Sequence, residues 1–144
     1  MKKFIDCIKF ANAHPICYLA TLDEEHQPRG RMMELLGADR TGFYFQTVSF
    51  KDIYNQMIHD PHVEICFYDE TPEGSEGEML RITGQAEFFK DADLTKKTLE
   101  ERPFLHYLGF SENNDNLVFF RISHGSAHFW TIDSEVEGKQ MIQF

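Results

Sequence analysis

The chain has 144 residues, of which 42% are hydrophobic, and this length and composition predict one globular domain spanning residues 1–144. Its 24 acidic and 14 basic residues give a formal net charge of −10. Such a surface repels nucleic acid and anionic membranes, so neither is expected as a partner. The fourteen phenylalanines are many for one small domain, and they leave room for a dimer interface.

Helical and extended patterns alternate along the chain. Apolar residues three and four apart predict helices, and runs of β-branched and aromatic residues predict strands. The predicted helices cover residues 2–13, 50–59 and 91–101. The predicted strands cover residues 16–22, 29–36, 43–48, 63–68, 79–89, 117–122 and 127–132. Gly84, inside the longest strand, indicates a bulge or a close approach of two backbones.

This order of elements predicts the fold class. Six or seven strands, mostly in sequential hairpins, favour an antiparallel sheet. Because few helices are available to cover two sheet faces, the sheet is expected to close into a small barrel, which also removes exposed edges. Residues 69–78 are rich in acidic and turn-forming residues and are expected to form a polar loop.

The segment of residues 28–59 carries the strongest functional pattern. Its two strands are predicted to form one hairpin that leads into the next helix. Ser49, three residues before Asp52, is typical of a capping box at the start of that helix. The N-terminus of a helix offers unpaired N–H groups and a partial positive charge, so it favours bound anions.

Cationic and hydroxyl side chains are concentrated around this helix start. Arg29 and Arg31 lie two residues apart on a strand and therefore share one face. Lys51, Thr47 and Ser49 follow on the next strand and turn. A phosphate monoester matches such a set, because guanidinium groups bind its oxygens in pairs and an ammonium adds a point charge. Solvated arginines beside an ordinary cap are the alternative that the residues alone leave open.

The cysteines and histidines do not form a metal-binding pattern. Cys7, Cys17 and Cys66 are odd in number and widely spaced, as expected for free thiols in a reducing cytoplasm. His124 and His128 are four residues apart, but a glycine and a serine between them argue against a helix, so no metal site is expected. The sequence has no apolar run of about 18 residues, and no transmembrane helix or signal peptide is expected.

Six motifs occur in a characteristic order along most of the chain. They are Tyr-Leu-Ala-Thr-Leu, Pro-Arg-x-Arg-Met, Gly-Phe-Tyr-Phe-x-Thr with a following Lys, Asp-Pro-His-Val-Glu-Ile, Leu-Arg-Ile-x-Gly-x-Ala-Glu and Phe-Trp-Thr. In this order and spacing, the chain resembles the pyridoxamine 5′-phosphate oxidase-like family of split-barrel flavin-binding proteins. The resemblance implies a mainly β, six- to seven-stranded antiparallel split β-barrel flanked by a few short helices.

The resemblance also implies a cofactor, FMN, bound at a homodimer interface. In such proteins an arginine on the second strand and a Thr/Ser-Lys segment after the third strand hold the FMN phosphate. The corresponding residues here are Arg31, Thr47, Ser49 and Lys51, with Arg29 as a weaker neighbour.

The flavin ring is expected along the second and third strands. Met32, Met33, Glu34 and Gln46 occupy the corresponding positions. Residues of the partner subunit usually close such a site, and Trp130 is the candidate for that role. No catalytic residue is assigned, because FMN itself supplies the redox chemistry and the protein supplies orientation and electrostatics.

One departure from the family bears on the activity. The true oxidase has a C-terminal segment whose arginine and histidine hold the pyridoxal substrate, and this sequence shows no such segment. We therefore expect a related FMN-dependent oxidoreductase acting on a small molecule. The alternatives are a non-catalytic flavin-binding or general-stress-type protein, and a deazaflavin or nitroimidazole-type reductase. Haem binding is less favoured, because no histidine falls at a pocket position.

Overall fold

Ten strands, all paired antiparallel, form two sheets in the part of the chain that this computed structural model describes, residues 1–70, 76–113 and 115–144. The strands are β1 (Ile16–Leu22), β2 (Pro28–Glu34), β3 (Gly37–Asp39), β4 (Gly42–Val48), β5 (His62–Asp69), β6 (Glu78–Gln85), β7 (Glu87–Phe89), β8 (Leu117–Ile122), β9 (Gly125–Trp130) and β10 (Ile142–Gln143). The helices are α1 (Phe4–Ala13), α2 (Asp52–His59), α3 (Ala92–Glu101), α4 (Phe104–Tyr107) and α5 (Ser134–Glu137).

The order of the strands confirms the predicted fold class of antiparallel β-structure with short helices. One sheet has the order β10-β9-β6-β5-β1-β2, and the other has the order β3-β4-β8-β7. The polar loop predicted over residues 69–78 lies partly outside the described residues, because it includes residues 71–75. No helix in the described ranges combines the length and the apolar character that crossing a membrane requires.

The predicted hairpin between the strands at residues 29–36 and 43–48 is wrong, because β2 and β4 belong to different sheets. β2 pairs with β1, where Met32 faces Tyr18, whereas β4 pairs with β3 and β8. The tight turn therefore joins β4 to the short strand β3. Alternation of side chains defines the faces of a strand, but it does not specify which strand pairs with it.

The strand predicted over residues 79–89 is two strands, because the chain passes from one sheet to the other between β6 and β7. The close approach expected at Gly84 is found there. Gly84 pairs with Gly125 on β9, and a Cβ on Gly84 would lie 2.6 Å from Cγ2 of Ile122. A Cβ on Gly125 would overlap the carbonyl oxygen of Thr83. Both glycines therefore allow the two backbones to meet where the sheets are joined.

Aromatic side chains fill the core between the sheets. Phe45 and Phe120 are fully buried and stack with their ring centroids 5.1 Å apart. Only Phe50 and Phe104, at 67% and 55%, expose more than half of their surface. The chain thus covers the other twelve of its fourteen phenylalanines at least in part, so their number does not by itself indicate a dimer interface.

The capping box predicted at Ser49 is also wrong. α2 begins at Asp52 with Lys51 as its N-cap residue, and no side chain caps it. The Ser49 backbone N–H instead donates to the carbonyl oxygen of Asn116 at 2.8 Å, and its hydroxyl donates to the Asn116 side-chain oxygen at 2.9 Å. Ser49 therefore continues the pairing of β4 with the segment that precedes β8, which holds its hydroxyl away from the helix.

Candidate functional site

A cavity of about 1000 Å³ lies beside β2 and β4. The start of α2 contributes a further part of its wall, and the segment of residues 102–110, which includes α4, contributes most of the rest, together with Phe50 and Asn116. Seven of the ten residues predicted to bind the cofactor line it: Arg31, Met32, Met33, Glu34, Gln46, Thr47 and Lys51. The fold thus brings these residues together although β2 and β4 do not pair.

Arg31 is half-buried and is held by neutral groups. One of its terminal nitrogens, Nη1, donates to the hydroxyl of Thr21 at 2.7 Å, and the other, Nη2, donates to the side-chain oxygen of Gln56 at 2.7 Å. No carboxylate forms an ion pair with Arg31 among the described residues. Burial lowers the pKa of this guanidinium, yet an arginine stays charged at any physiological pH. Its positive charge is therefore available to a ligand.

Two further groups on the cavity wall lack partners. The hydroxyl oxygen of Thr47 is buried and has no hydrogen-bond partner in the described part of the chain. Lys51 is exposed at the cavity and forms no ion pair with any carboxylate at the described positions. Buried polar groups are nearly always hydrogen-bonded, so an unpartnered hydroxyl on a residue that lines the same cavity as two cations without ion pairs favours a bound acceptor.

Arg29 differs from Arg31 although both lie on one face of β2. Its Nε donates to a carboxylate oxygen of Asp23 at 3.0 Å, and its side chain is 57% exposed. The backbone N–H of Gln27 and the Arg29 guanidinium together hold the pKa of Asp23 below its usual value. Arg29 borders a neighbouring polar cleft of about 670 Å³ rather than the main cavity. Because Asp23 already neutralises the Arg29 guanidinium, this arginine is a weaker candidate for binding an anionic ligand.

Two of the predicted residues lie away from the cavity within one chain. Ser49 does not line it, but its partner Asn116 does. Trp130 lies at the end of β9, which three strands separate from β2 in the same sheet, and its indole N–H donates to Glu135. Trp130 therefore cannot close the cavity of its own chain, and its predicted role requires a second subunit.

The sequence pattern did not predict the wall of the cavity that the segment of residues 102–110 forms. Arg102, with a side chain only 18% exposed, forms an ion pair with Glu34, in which Nη2 lies 3.5 Å from Oε2. The apolar side chains of Phe50, Phe104 and Leu108 also line this side. These contacts join distant parts of the chain, and no local spacing in the sequence could have indicated them.

The outer face of the six-stranded sheet is apolar and open. Ile16, Tyr18, Met32 and Tyr68 each expose about half of their surface, and their strand register places all four on this face. Trp130 lies on the same face, in one row with Tyr68. Met32 belongs to both this face and the cavity wall, so the open surface reaches the edge of the cavity.

A polar group interrupts this face near its centre. Arg81 on β6 donates from Nε to Glu64 on β5 at 2.8 Å, and His128 faces Arg81 from β9. Nε2 of His128 is buried without a partner in the described ranges, and burial lowers the pKa of its imidazole. The described residues contain no group of three or more His, Cys, Asp or Glu that could hold a metal ion.

Comparison with known proteins identifies the family. Residues 6–131 match the model of the pyridoxamine 5′-phosphate oxidase family, and the chain belongs to that family. The match includes both strands that line the cavity and all of α2, α3 and α4. No curated protein sequence matches the chain.

Solved structures show that the fold is shared by proteins with different descriptions. A NimC/NimA family protein from Clostridium acetobutylicum has a TM-score of 0.74 at 20% identity, covering 97% of this chain and 92% of its own. General Stress Protein 26 from Bacillus anthracis has a TM-score of 0.71 at 15% identity, covering 98% of each chain. HutZ, the haem storage protein from Vibrio cholerae, has a TM-score of 0.65 at 14% identity, covering 91% and 95%. At these identities the likeness concerns the fold alone.

Proposed function

We propose that the protein binds FMN in the cavity beside β2 and β4 and acts as an FMN-dependent oxidoreductase on a small-molecule substrate. One observation carries this proposal. Arg31 and Lys51, two cations without ion pairs among the described residues, line the same cavity as the unpartnered hydroxyl of Thr47. Arg102 and Glu34 pair with each other at this cavity, so Arg31 and Lys51 outnumber the one remaining carboxylate, that of Asp52. On a chain with a net charge of −10, this local positive charge favours an anionic ligand.

The residues at the cavity fit FMN in their chemistry. A phosphate monoester accepts hydrogen bonds at three oxygens, so the guanidinium of Arg31, the ammonium of Lys51 and the hydroxyl of Thr47 would each find an acceptor. Met32, Met33, Glu34 and Gln46 would contact the flavin ring, because they form the strand walls of the same cavity. FMN supplies the electron transfer when bound, and the protein supplies orientation and exclusion of water.

The substrate side of the cavity is mainly apolar. Phe50, Phe104 and Leu108 would cover a small organic substrate, while Arg102, held by Glu34, provides one largely buried charge near it. A purely flavin-binding role would use the same cofactor residues. Reduction of the bound flavin by NADH or NADPH, followed by oxidation with a nitroaromatic or quinone acceptor, distinguishes an oxidoreductase from a protein that only binds flavin.

A titration with two flavins tests the phosphate site. FMN and riboflavin differ only in the phosphate, so wild-type protein should bind FMN more tightly. Lys51→Ala removes a charge-assisted hydrogen bond worth about 1.5–3 kcal/mol, and FMN affinity should fall roughly ten- to a hundredfold. Arg31→Ala should weaken FMN at least as much, because a guanidinium can bind two oxygens at once. Riboflavin affinity should hardly change in either variant.

Arg40 provides the matched control for this titration. It is an exposed cation in the turn between β3 and β4 and does not line the cavity, so Arg40→Ala should leave both affinities unchanged. Equal weakening of FMN and riboflavin by Lys51→Ala and Arg31→Ala would show that these residues support the fold or the ring, and the proposed phosphate site would be wrong. A spectrum with a haem band instead of flavin bands in the purified protein would contradict the cofactor.

We also propose that the functional unit is a homodimer formed through the open face of the six-stranded sheet. Face-to-face association would cover Tyr18 and Tyr68 and bring Trp130 of the partner subunit towards the cavity edge at Met32. An obligate interface of this kind buries on the order of 2,000 Å² or more. Sedimentation at micromolar concentration should give a dimer, and Tyr18→Glu should shift it to monomer. A wild-type monomer with flavin bound would refute this arrangement.

A further inference from the structure

We infer that Gln56 and Thr21 are positioning residues, which hold Arg31 in place for a phosphate group without neutralising its charge. This inference rests on the proposed FMN site and deepens it. Thr21 is only 2% exposed on β1, and Gln56 lies in the middle of α2. Together they connect the sheet and the helix on either side of the Arg31 guanidinium.

The three side chains form a closed hydrogen-bond network. The hydroxyl of Thr21 accepts from Nη1 of Arg31 at 2.7 Å and donates to the side-chain oxygen of Gln56 at 2.6 Å. The same Gln56 oxygen accepts from Nη2 of Arg31 at 2.7 Å. Nη1 of Arg31 also donates to the carbonyl oxygen of Arg29 at 3.1 Å. The guanidinium plane is therefore held from several sides, while Nε–H and the second N–H of Nη2 have no acceptor among the described residues and stay available.

The neutral character of the groups that hold Arg31 is what keeps its charge available to a ligand. A carboxylate at the position of the Gln56 amide would form an ion pair with Arg31 and cancel the charge that an incoming phosphate needs. The chain shows both arrangements on one strand, because Arg29 is paired with the carboxylate of Asp23 at 3.0 Å and Arg31 with neutral acceptors. The neutral network therefore distinguishes a cation kept for a ligand from a cation used in the structure.

Gln56→Glu tests this inference directly, because it changes an amide to a carboxylate of nearly the same shape. FMN affinity should fall by about tenfold or more, since the ligand phosphate must then compete with a built-in anion. Riboflavin affinity should stay within threefold of wild type. Gln56→Leu removes the acceptor without adding charge, and it should weaken FMN by a smaller factor, roughly two- to tenfold. The thermal midpoint of Gln56→Glu should not fall, because the variant gains an ion pair.

Gln140→Glu is the matched control, since it makes the same chemical change at an exposed position outside the cavity. It should leave the ratio of FMN to riboflavin affinity at the wild-type value. A merely structural role of Gln56 would lower the affinities for both flavins together. If wild type prefers FMN but Gln56→Glu leaves that preference within threefold, the positioning role is overturned and the phosphate site stands. If wild type binds both flavins equally, the phosphate site fails and the inference fails with it.

Discussion

Thr47→Val should stabilise the flavin-free protein and weaken its binding of FMN. The hydroxyl of Thr47 is buried, and the described residues offer it no hydrogen-bond partner. A buried polar group left without a partner costs about 1–3 kcal/mol, and valine keeps the branched shape without the hydroxyl. The free energy of unfolding of the flavin-free variant should therefore rise by about 1 kcal/mol or more.

The effect on the ligand should have the opposite sign. If the hydroxyl donates to a charged phosphate oxygen, its loss removes about 1.5–3 kcal/mol of binding, or at least a tenfold change in the dissociation constant. Thr47→Ser keeps the donor and should retain most of the FMN affinity. Urea denaturation of flavin-free protein and fluorescence titration with FMN measure the two effects separately.

Two results would refute this reasoning about Thr47. A flavin-free Thr47→Val variant that is less stable than wild type would show that the hydroxyl already has a structural partner. An unchanged FMN affinity would show that the hydroxyl does not reach the ligand. The predicted combination is a higher free energy of unfolding without flavin and a lower affinity for FMN. A general packing defect would not produce it, because such a defect lowers both the stability and the affinity.

Three further predictions concern the body of the fold. Gly125→Ala should lower the free energy of unfolding by about 1–3 kcal/mol in urea, because its Cβ would overlap the Thr83 carbonyl; a smaller loss would mean that the strands can separate. Burial raises the pKa of Cys7 to about 11 and that of Cys17 to about 12, so neither thiol should react with iodoacetamide at pH 8 before unfolding, as mass spectrometry would show. Burial lowers the pKa of His128 below 6.5, so its contribution to stability is complete above pH 6.5 and decreases as the pH falls through the folded value; His128→Gln should lose this part of the pH dependence of unfolding.

Local patterns in the sequence predict most of the individual elements of this fold. β1 was predicted with both of its ends, and the start of β4 was predicted within one residue, because their apolar and β-branched residues alternate between turn-forming neighbours. The last long strand was predicted over residues 127–132, whereas β9 begins two residues earlier, at Gly125. The pairing of Gly125 with Gly84 sets the start of β9, and the residues next to Gly125 in the sequence give no sign of this distant pairing.

Relations between distant residues were the part that sequence patterns could not supply. The hairpin assigned to residues 29–48 failed because pairing depends on the whole set of strands. Seven of the ten residues named from the hairpin pattern and the family resemblance nevertheless line one cavity, because β2 and β4 come together through the barrel rather than through a shared ladder. Gln56 and Arg102 were missed for the same reason: their importance lies in contacts with Arg31 and Glu34, which are far away in the chain.

The connection between β7 and β8 has a consequence for how new ligand preferences could arise. Its two ends are tied directly by strand pairing, where Phe89 faces Phe119, while α4 and Arg102, the residue after α3, contribute to the cavity wall. Doubling the length of such a connection costs only about 0.6 kcal/mol in closure entropy. Exchange of this segment between relatives would therefore replace this wall of the cavity and leave its strand walls unchanged. The two sheets would then stay the same while one wall of the cavity changes. A chimaera with another segment between Phe89 and Phe119 should keep its fold and bind a different molecule.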